Sequence, residues 1–241
     1  MSGGSQRRFR GGAYGPLDLP ELLAGCSVAL VDVDHTLTRV STGRRLAQSA
    51  RKSGIAAPRF FLSLPIYYLR YRLGAISHEE LSRAALPIAG ASRDQLEAIA
   101  EDAWKTRVQA DVVWALVDGL RAAADAGTRI VLATASLELA VRPLASAIPA
   151  TDVIASRLEF SGEIASGSLI GPPCYGPEKA RRAADWAAEQ GLTLQACAFL
   201  SDSIHDLPLL ERCGWPIAVR PDRRLAAQAR QRNWPVLHGT D

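Results

Sequence analysis

Short apolar runs that no polar residue interrupts recur along the chain and alternate with amphipathic helical patterns. Examples are VALV at 28–31, IVLA at 130–133 and ACAFL at 196–200. Side chains alternate between the two faces of a strand, so a strand that is apolar at consecutive positions must be covered on both faces. Strands of this kind, joined by helices, are typical of a parallel sheet between two helical layers. The chain is therefore predicted to be an α/β protein with a parallel sheet.

Helical patterns alone fill the region between the first and second predicted strands. Ser77 with Glu80 suits a capping box, and Ser92 suits the N-cap of a further helix. We predict an all-helical insertion in this region. The predicted divisions are a flexible N-terminal tail at 1–20, a core formed by 21–38 and 108–241, and the helical insertion at 39–107.

The composition excludes several classes of protein. A formal charge of +3 on 241 residues is too small to indicate nucleic-acid binding. The four cysteines form no C-x-x-C pair, which favours buried free thiols over a zinc site and fits a reducing cytoplasm. The most apolar window, 60–69, is too short to span a bilayer, and the N-terminal segment lacks the apolar stretch of a signal peptide. A cytoplasmic protein without a transmembrane helix is expected.

Polar residues with useful chemistry follow the predicted strands directly. The carboxyl ends of parallel strands meet at one edge of a sheet, where open α/β sheets bind their ligands. Asp32 and Asp34 are one residue apart, and two carboxylates that close repel each other unless a positive charge offsets them. The residues predicted to collect at this edge are Asp32, Asp34, Thr36, Thr134, Ser136, Lys179, Ser201, Asp202 and Asp206.

The residue types at this edge suit one kind of chemistry. Three carboxylates form a hard, oxygen-rich site that favours Mg²⁺ over zinc, and a divalent charge outweighs their mutual repulsion. A lysine and a small hydroxyl residue are donors that suit an anion held against the metal. Metal, donors and a carboxylate nucleophile together indicate phosphoryl transfer.

Four motifs, in order along the chain, resemble those of the haloacid dehalogenase superfamily of phosphohydrolases. They are DVDHTLT at 32–38, Thr134 in LATAS, Lys179 in GPEKA and SDSIHDLPLL at 201–210. The segments GPPCYG and PIAVRPD are similar to subfamily IB, which includes phosphoserine phosphatase. The resemblance spans about 26–237 and implies a Rossmann-like core with a helical C1 cap inserted after the first strand.

The resemblance implies a covalent mechanism. Asp32 would attack phosphorus and become an aspartyl phosphate, and Asp34 would protonate the leaving oxygen and then activate water. The two carboxyl groups are then expected to differ in protonation state, with Asp32 ionised for the attack on phosphorus and Asp34 protonated to release the leaving group. Mg²⁺ would be held by Asp32, the backbone carbonyl of Asp34 and Asp202, with Asp206 supporting that shell.

The resemblance also implies the ligands of the phosphoryl group. Thr134 and Lys179 would hold its oxygens, and Ser136 could share the role of Thr134.

His35 and His205 are expected to pack or face solvent, because alternation along the chain turns His35 away from the neighbouring carboxylates.

A basic stretch lies in the predicted cap. Between Asp34 and Glu79 there are eight basic residues and no acidic one, whereas an ordinary solvated face mixes signs. With its aromatic residues, this stretch suits a phosphorylated substrate or a peripheral contact with an anionic membrane surface. An aromatic cap core under ordinary surface arginines is the alternative. The basic residues are Arg39, Arg44, Arg45, Arg51, Lys52, Arg59, Arg70 and Arg72, and the aromatic residues are Phe60, Phe61, Tyr67, Tyr68 and Tyr71.

These features together predict a Mg²⁺-dependent phosphomonoesterase. Phosphoserine phosphatases carry an acidic residue shortly after the first motif, but Arg39 and Val40 stand there in this chain. A small phosphorylated metabolite or a lipid-type phosphate is therefore the expected substrate. A phosphotransferase would use the same intermediate. A receiver domain of a signalling protein shares several of these residues, but Asp34 and the insertion argue against it.

Overall fold

The computed structural model describes residues 12–55 and 88–238. The described strands are β1 (Ala13–Tyr14), β2 (Val28–Val31), β3 (Arg129–Leu137), β4 (Ala150–Ser156), β5 (Leu158–Ser161), β6 (Ile164–Leu169), β7 (Cys197–Ser201), β8 (Trp215–Val219) and β9 (Val236–Leu237). The described α-helices are α1 (Leu19–Leu22), α2 (Thr42–Lys52), α3 (Arg93–Ala103), α4 (Trp114–Asp125), α5 (Glu138–Ala147), α6 (Pro177–Glu189), α7 (Leu207–Leu210) and α8 (Arg223–Arg232). A π-helical segment (Trp104–Val108) and one further helical turn (Gln109–Asp111) continue α3.

Seven strands form one sheet in the order β1, β9, β8, β7, β2, β3, β4, and every neighbouring pair is parallel. The strands β5 and β6 form a separate antiparallel hairpin that turns at Gly162. The predicted α/β class with a parallel, Rossmann-like sheet is confirmed. Because β2 lies between β7 and β3, the carboxyl ends of these three strands meet at the centre of one sheet edge.

Helices cover both faces of the sheet, as the uninterrupted apolar runs predict. In β2, Ala29 and Val31 face a core that includes α1, α4 and α5, whereas Val28 and Leu30 face a core that includes α6, α7 and α8. All four side chains are completely buried. Burial on both faces holds β2 firmly in place, so the residues that follow it start from a fixed position.

The helices α2 and α3 belong to a third apolar cluster. Leu46 of α2 and Leu96 of α3 pack with Ala140 of α5 and with Leu158 of the hairpin. The predicted N-cap at Ser92 is confirmed, since its hydroxyl accepts the Gln95 N–H (3.2 Å) and the Gln95 side chain accepts the Ser92 N–H (2.9 Å). The predicted capping box at Ser77 and Glu80 lies outside the described residues.

The prediction of a flexible tail through residue 20 is wrong for residues 12–20. Ala13 and Tyr14 add an edge strand beside β9, and Leu19 is completely buried in the core. The sequence Pro-Leu-Asp at 16–18 forms a 3-10 turn that packs on α4 at Gly119. A side chain at Gly119 would collide with the carbonyl oxygen of Pro16, so the glycine permits this close approach.

Two predictions from composition can be compared with the structure. All four cysteines are buried and free, as predicted. None of the helices within 12–55 and 88–238 combines the length and apolar character that a bilayer span requires.

Candidate active site

The loop after β2 carries the first motif and is held by the strands and loops around it. The N–H of Asp32 donates to the carbonyl of Leu200 in β7 (2.9 Å), which extends the sheet by one residue. His35 has a φ of 67°, in the left-handed region, and this turns the chain after Asp34. The Arg220 guanidinium donates to the carbonyls of His35 (2.9 Å) and Thr36 (2.8 Å). The turn is therefore fixed from the end of β8 as well as from β2.

Lys179 reaches Asp32 across 147 residues of sequence. Gly176 has a φ of 54° and precedes Pro177 at the start of α6, so Lys179 lies in the first turn of that helix. Its ammonium is 2.9 Å from Asp32 Oδ1 and 2.7 Å from Asp206 Oδ1, and all three side chains are buried. Burial lowers the pKa of Lys179, but the Asp206 and Asp32 carboxylates raise it by more than burial lowers it. The pKa of Lys179 therefore lies above its usual value.

Asp206 is turned toward Lys179 and Ser201. The Ser201 hydroxyl donates to Asp206 Oδ2 (2.7 Å), and Ser201 in turn accepts the N–H of Ser203 (3.1 Å). In this position Asp206 fixes the lysine ammonium, which was not among the roles predicted from the sequence.

Thr36 connects the carboxylates at the ends of β2 and β7. Its hydroxyl lies 3.1 Å from Asp32 Oδ2 and 3.2 Å from Asp202 Oδ1, and it accepts the N–H of Asp202 (3.1 Å). One hydroxyl proton serves only one carboxylate at a time. Asp32 also accepts from Lys179, so Asp202 is the carboxylate that depends on sharing the Thr36 proton.

The charge at this point of the cleft is unbalanced. Burial raises the pKa of Asp32 to about 7, although Lys179 opposes the shift. Burial and the neighbouring Asp32 and Asp206 charges also raise the pKa of Asp202. Three carboxylates share one ammonium, and oxygen donors with excess negative charge fit a hard divalent cation such as Mg²⁺. The described residues contain no cluster of three His, Cys, Asp or Glu side chains arranged as metal ligands. The Asp206 carboxylate is directed toward Lys179.

Asp34 lies among hydroxyl donors at the start of α2. Its Oδ1 accepts both the N–H and the hydroxyl of Thr42, each at 2.8 Å, and its Oδ2 accepts the hydroxyl of Ser136 at 2.9 Å. The hydroxyl oxygens of Ser136 and Thr42 are 2.9 Å apart. Ser136 lies near the end of β3, and Thr42 is the first residue of α2, the first helix of the predicted cap. Contacts from two elements therefore orient the Asp34 carboxyl group.

The two candidate phosphate-binding hydroxyl residues occupy different environments. Thr134 is completely buried and lines the cleft, and its hydroxyl accepts the N–H of Ser136 (3.1 Å). The Ser136 hydroxyl is turned toward Asp34 instead. Its position favours a role in orienting Asp34 over the predicted contact with phosphate.

A cleft of about 470 Å³ opens above these residues. His35 and His205, which were expected to pack or face solvent, line it together with Asp32 and Lys179. Tyr175, which the sequence analysis did not select, also lines the cleft, with its ring centroid 5.4 Å from that of His205. Its position immediately before Gly176, the N-cap residue of the helix that carries Lys179, could have identified Tyr175 as a cleft residue from the sequence.

Part of the basic stretch is described. Arg45 forms a bidentate ion pair with Asp111 (2.6 and 2.9 Å), which joins α2 to the helical turn after α3. This arginine is therefore neutralised by a structural contact. Arg59, Arg70, Arg72 and the five aromatic residues of the stretch lie outside the described residues.

Comparisons with known proteins agree with this geometry. Residues 29–211 match the family model of the haloacid dehalogenase-like hydrolases. A probable phosphatase of Mycobacterium tuberculosis is 30% identical over 220 residues, which cover 88% of this chain and 75% of the relative. A phosphoserine phosphatase of the same species is 28% identical over 249 residues, covering 93% and 78% of the two chains. A crystal structure of a Bordetella pertussis protein of unknown function has a TM-score of 0.80 at 28% identity and covers 88% of this chain and 97% of that protein.

Proposed function

This chain belongs to the haloacid dehalogenase-like hydrolases and is a phosphatase, and we propose that it hydrolyses phosphomonoesters with Mg²⁺ through an aspartyl phosphate on Asp32. The observation that carries this proposal is the convergence of Asp32, Lys179 and Asp202 from three separate elements. The buried contact of 2.9 Å between Asp32 and Lys179 is its centre. An ion pair with a purely structural role would not explain why Asp202, a further carboxylate, lies on the same Thr36 hydroxyl as Asp32.

Asp32 is the proposed nucleophile. Its Oδ1 faces Lys179 and its Oδ2 faces Thr36, so both oxygens are fixed at the floor of the cleft. One carboxylate oxygen forms a bond to phosphorus as the ester oxygen leaves with the bridging electron pair. This produces an acyl phosphate on Asp32 and an alcohol, and water then attacks phosphorus to regenerate the carboxylate and release inorganic phosphate.

The donor set suits one cation. The carboxylates of Asp32 and Asp202 and the backbone carbonyl of Asp34 would hold Mg²⁺. When bound, the cation neutralises charge on the transferring phosphoryl group and on the nucleophile. Asp206 would act on this site through Lys179, whose ammonium it holds in place.

Asp34 is the proposed general acid and base. It follows the nucleophile by two residues, and Thr42 and Ser136 hold its carboxyl group at the cleft. In the first step it gives a proton to the leaving alkoxide, and in the second step it takes one from the attacking water. The same group therefore serves both halves of the reaction.

Lys179 and Thr134 are the proposed phosphate ligands. Both line the cleft beside Asp32, and both are donors that suit an anionic oxygen. The Lys179 ammonium carries three protons and a positive charge, so it can contact the phosphoryl group while paired with Asp32 and Asp206.

The proposed substrate is a small phosphorylated metabolite or a lipid-type phosphate. A relative named as a phosphoserine phosphatase supports a phosphorylated small molecule. In this chain Arg39 and Val40 follow the first motif, so phosphoserine itself is not favoured.

The proposal is tested with p-nitrophenyl phosphate. We expect phosphate release that requires Mg²⁺, stops on addition of EDTA, and falls to the background rate in Asp32→Asn. Asp118→Asn, at an exposed aspartate of α4, is the matched control and should keep the full rate. Activity that survives both EDTA and Asp32→Asn would exclude this mechanism.

A further inference from the structure

Two consecutive arginines lie on the core side of the cleft. Arg223 and Arg224 are the first two residues of α8, are exposed, and line the same cavity as Asp32 and Lys179. They come from the far end of the chain and are separate from the basic stretch of the predicted cap. The catalytic cavity therefore has a cationic side that the mechanism above does not use.

Neither guanidinium has a partner within the described parts of the chain. No side-chain hydrogen bond, ion pair or ring contact holds Arg223 or Arg224 there. Some other described arginines are paired, as Arg45 is with Asp111 (2.6 Å) and Arg129 with Asp152 (3.0 Å). As far as the described residues show, these two guanidinium groups in one cavity are available to bind an anion bidentately.

The position of these arginines in α8 has a local cost. The N-terminus of a helix carries a partial positive charge, so cations in the first turn are unfavourable. Asp222 caps the helix but does not pair with them, since its Oδ1 accepts the N–H groups of Arg224 and Leu225 and its Oδ2 accepts that of Ile204. Helix stability therefore gives no reason for two arginines at these positions.

We infer that Arg223 and Arg224 form a second anion-binding subsite, which holds a phosphate or carboxylate group carried by the leaving group of the substrate. The inference rests on the proposed function, because the first anion is the phosphoryl group over Asp32. It narrows the substrate class to phosphomonoesters that bear a second anionic group. The cavity of about 470 Å³ lies within the 300–1,000 Å³ range of ordinary small-molecule sites, so it accommodates more than one phosphate.

The Tyr175 and His205 rings provide a wall for the part of the substrate between the two anions. Both line the cavity, with their rings inclined by 38°. A short carbon chain contacts such ring faces without requiring hydrogen bonds. The subsite thus selects for charge at the far end of the leaving group rather than for one particular skeleton.

Equilibrium binding of non-hydrolysable probes tests the subsite. Linear phosphonocarboxylates of increasing chain length are titrated calorimetrically with Mg²⁺, each beside the alkylphosphonate of the same length. At the best length we expect the wild-type protein to bind the phosphonocarboxylate more tightly by roughly tenfold per guanidinium, as for a charge-assisted hydrogen bond. Arg223→Gln with Arg224→Gln should remove this advantage.

Arg230→Gln is the matched control, because Arg230 is an exposed arginine in the last turn of the same helix and does not line the cleft. It should retain the full advantage. Equal affinity for the two probes at every length in the wild type, or an advantage that persists in the double variant, overturns the subsite. Turnover of p-nitrophenyl phosphate is measured on the same proteins. An active wild type without the advantage contradicts the subsite alone, and an arginine-dependent advantage without turnover contradicts the proposed function alone.

Discussion

Ser136→Ala should separate two roles for this hydroxyl group. In the structure Ser136 Oγ donates to Asp34 Oδ2 at 2.9 Å, beside two contacts of 2.8 Å from Thr42. If the hydroxyl orients the general acid, its loss matters most when the leaving oxygen needs a proton. If it binds phosphate, as one of the sequence-based expectations holds, its loss affects all substrates alike.

The size of the effect follows from the contacts. Ser136→Ala removes one of three hydrogen bonds to the Asp34 carboxyl group and leaves the two from Thr42. One such bond contributes about 1–1.5 kcal/mol, so we expect about a tenfold loss of kcat/KM on an alkyl phosphate. p-Nitrophenolate leaves readily without a proton, and the loss on p-nitrophenyl phosphate should therefore be smaller, about twofold.

The assay compares kcat/KM for glycerol phosphate and p-nitrophenyl phosphate. Ser146→Ala is the control, since Ser146 is exposed on α5 and its hydroxyl donates to the carbonyl of Arg142, away from the cleft. Equal losses on the two substrates in Ser136→Ala, together with weaker inhibition by inorganic phosphate, would refute the positioning role and support direct contact with phosphate.

Two further predictions concern metal binding and packing. Burial raises the pKa of Asp32 to about 7, so protons compete with Mg²⁺ and its affinity should weaken by up to about tenfold per pH unit below that value. Without metal, the raised pKa of Asp32 in the folded state means that its ionisation lowers the free energy of unfolding as pH rises toward 7. The increase in Tm on adding Mg²⁺ should therefore grow over the same pH interval. A Mg²⁺ affinity independent of pH from acid to neutral would contradict both statements. Gly119→Ala places a Cβ against the Pro16 carbonyl and should cost about 1–3 kcal/mol in urea unfolding. In Gly15→Ala the added Cβ would lie 3.8 Å from the Asp18 carboxylate, an ordinary contact. An equal loss of unfolding free energy in Gly15→Ala would refute the packing explanation.

The pattern of apolar runs was sufficient to predict the sheet and the edge at which the site lies. Consecutive buried residues in β2 and β7 require cover on both faces, and parallel strands then bring Asp32 and Asp202 to one edge. Lys179 could be assigned because a glycine-marked helix start places it at the same edge. These inferences depend on the backbone period, which local sequence largely determines, and on the common direction of the strands in a parallel sheet.

The errors and omissions concern contacts that only the tertiary structure specifies. The direction of the Ser136 hydroxyl depends on where α2 begins relative to β3, and no pattern in either segment encodes that relation. Strand alternation does not apply at His35 because its φ is positive, and the residue lines the same cleft as Asp32. The edge strand at Ala13 and Tyr14 is only two residues long and depends on pairing with the distant β9, and the close packing of Pro16 that follows depends on Gly119.

The most direct test of the proposed mechanism is chemical trapping of the covalent intermediate. Enzyme turning over a phosphomonoester with Mg²⁺ is quenched in acid and reduced with borohydride, which converts an acyl phosphate on aspartate to homoserine, and the modified residue is identified by mass spectrometry. We predict homoserine at position 32, dependent on substrate and Mg²⁺, with none at Asp34 or Asp202. Full turnover without modification at Asp32, or modification at another carboxylate, would contradict the assignment of Asp32 as the nucleophile.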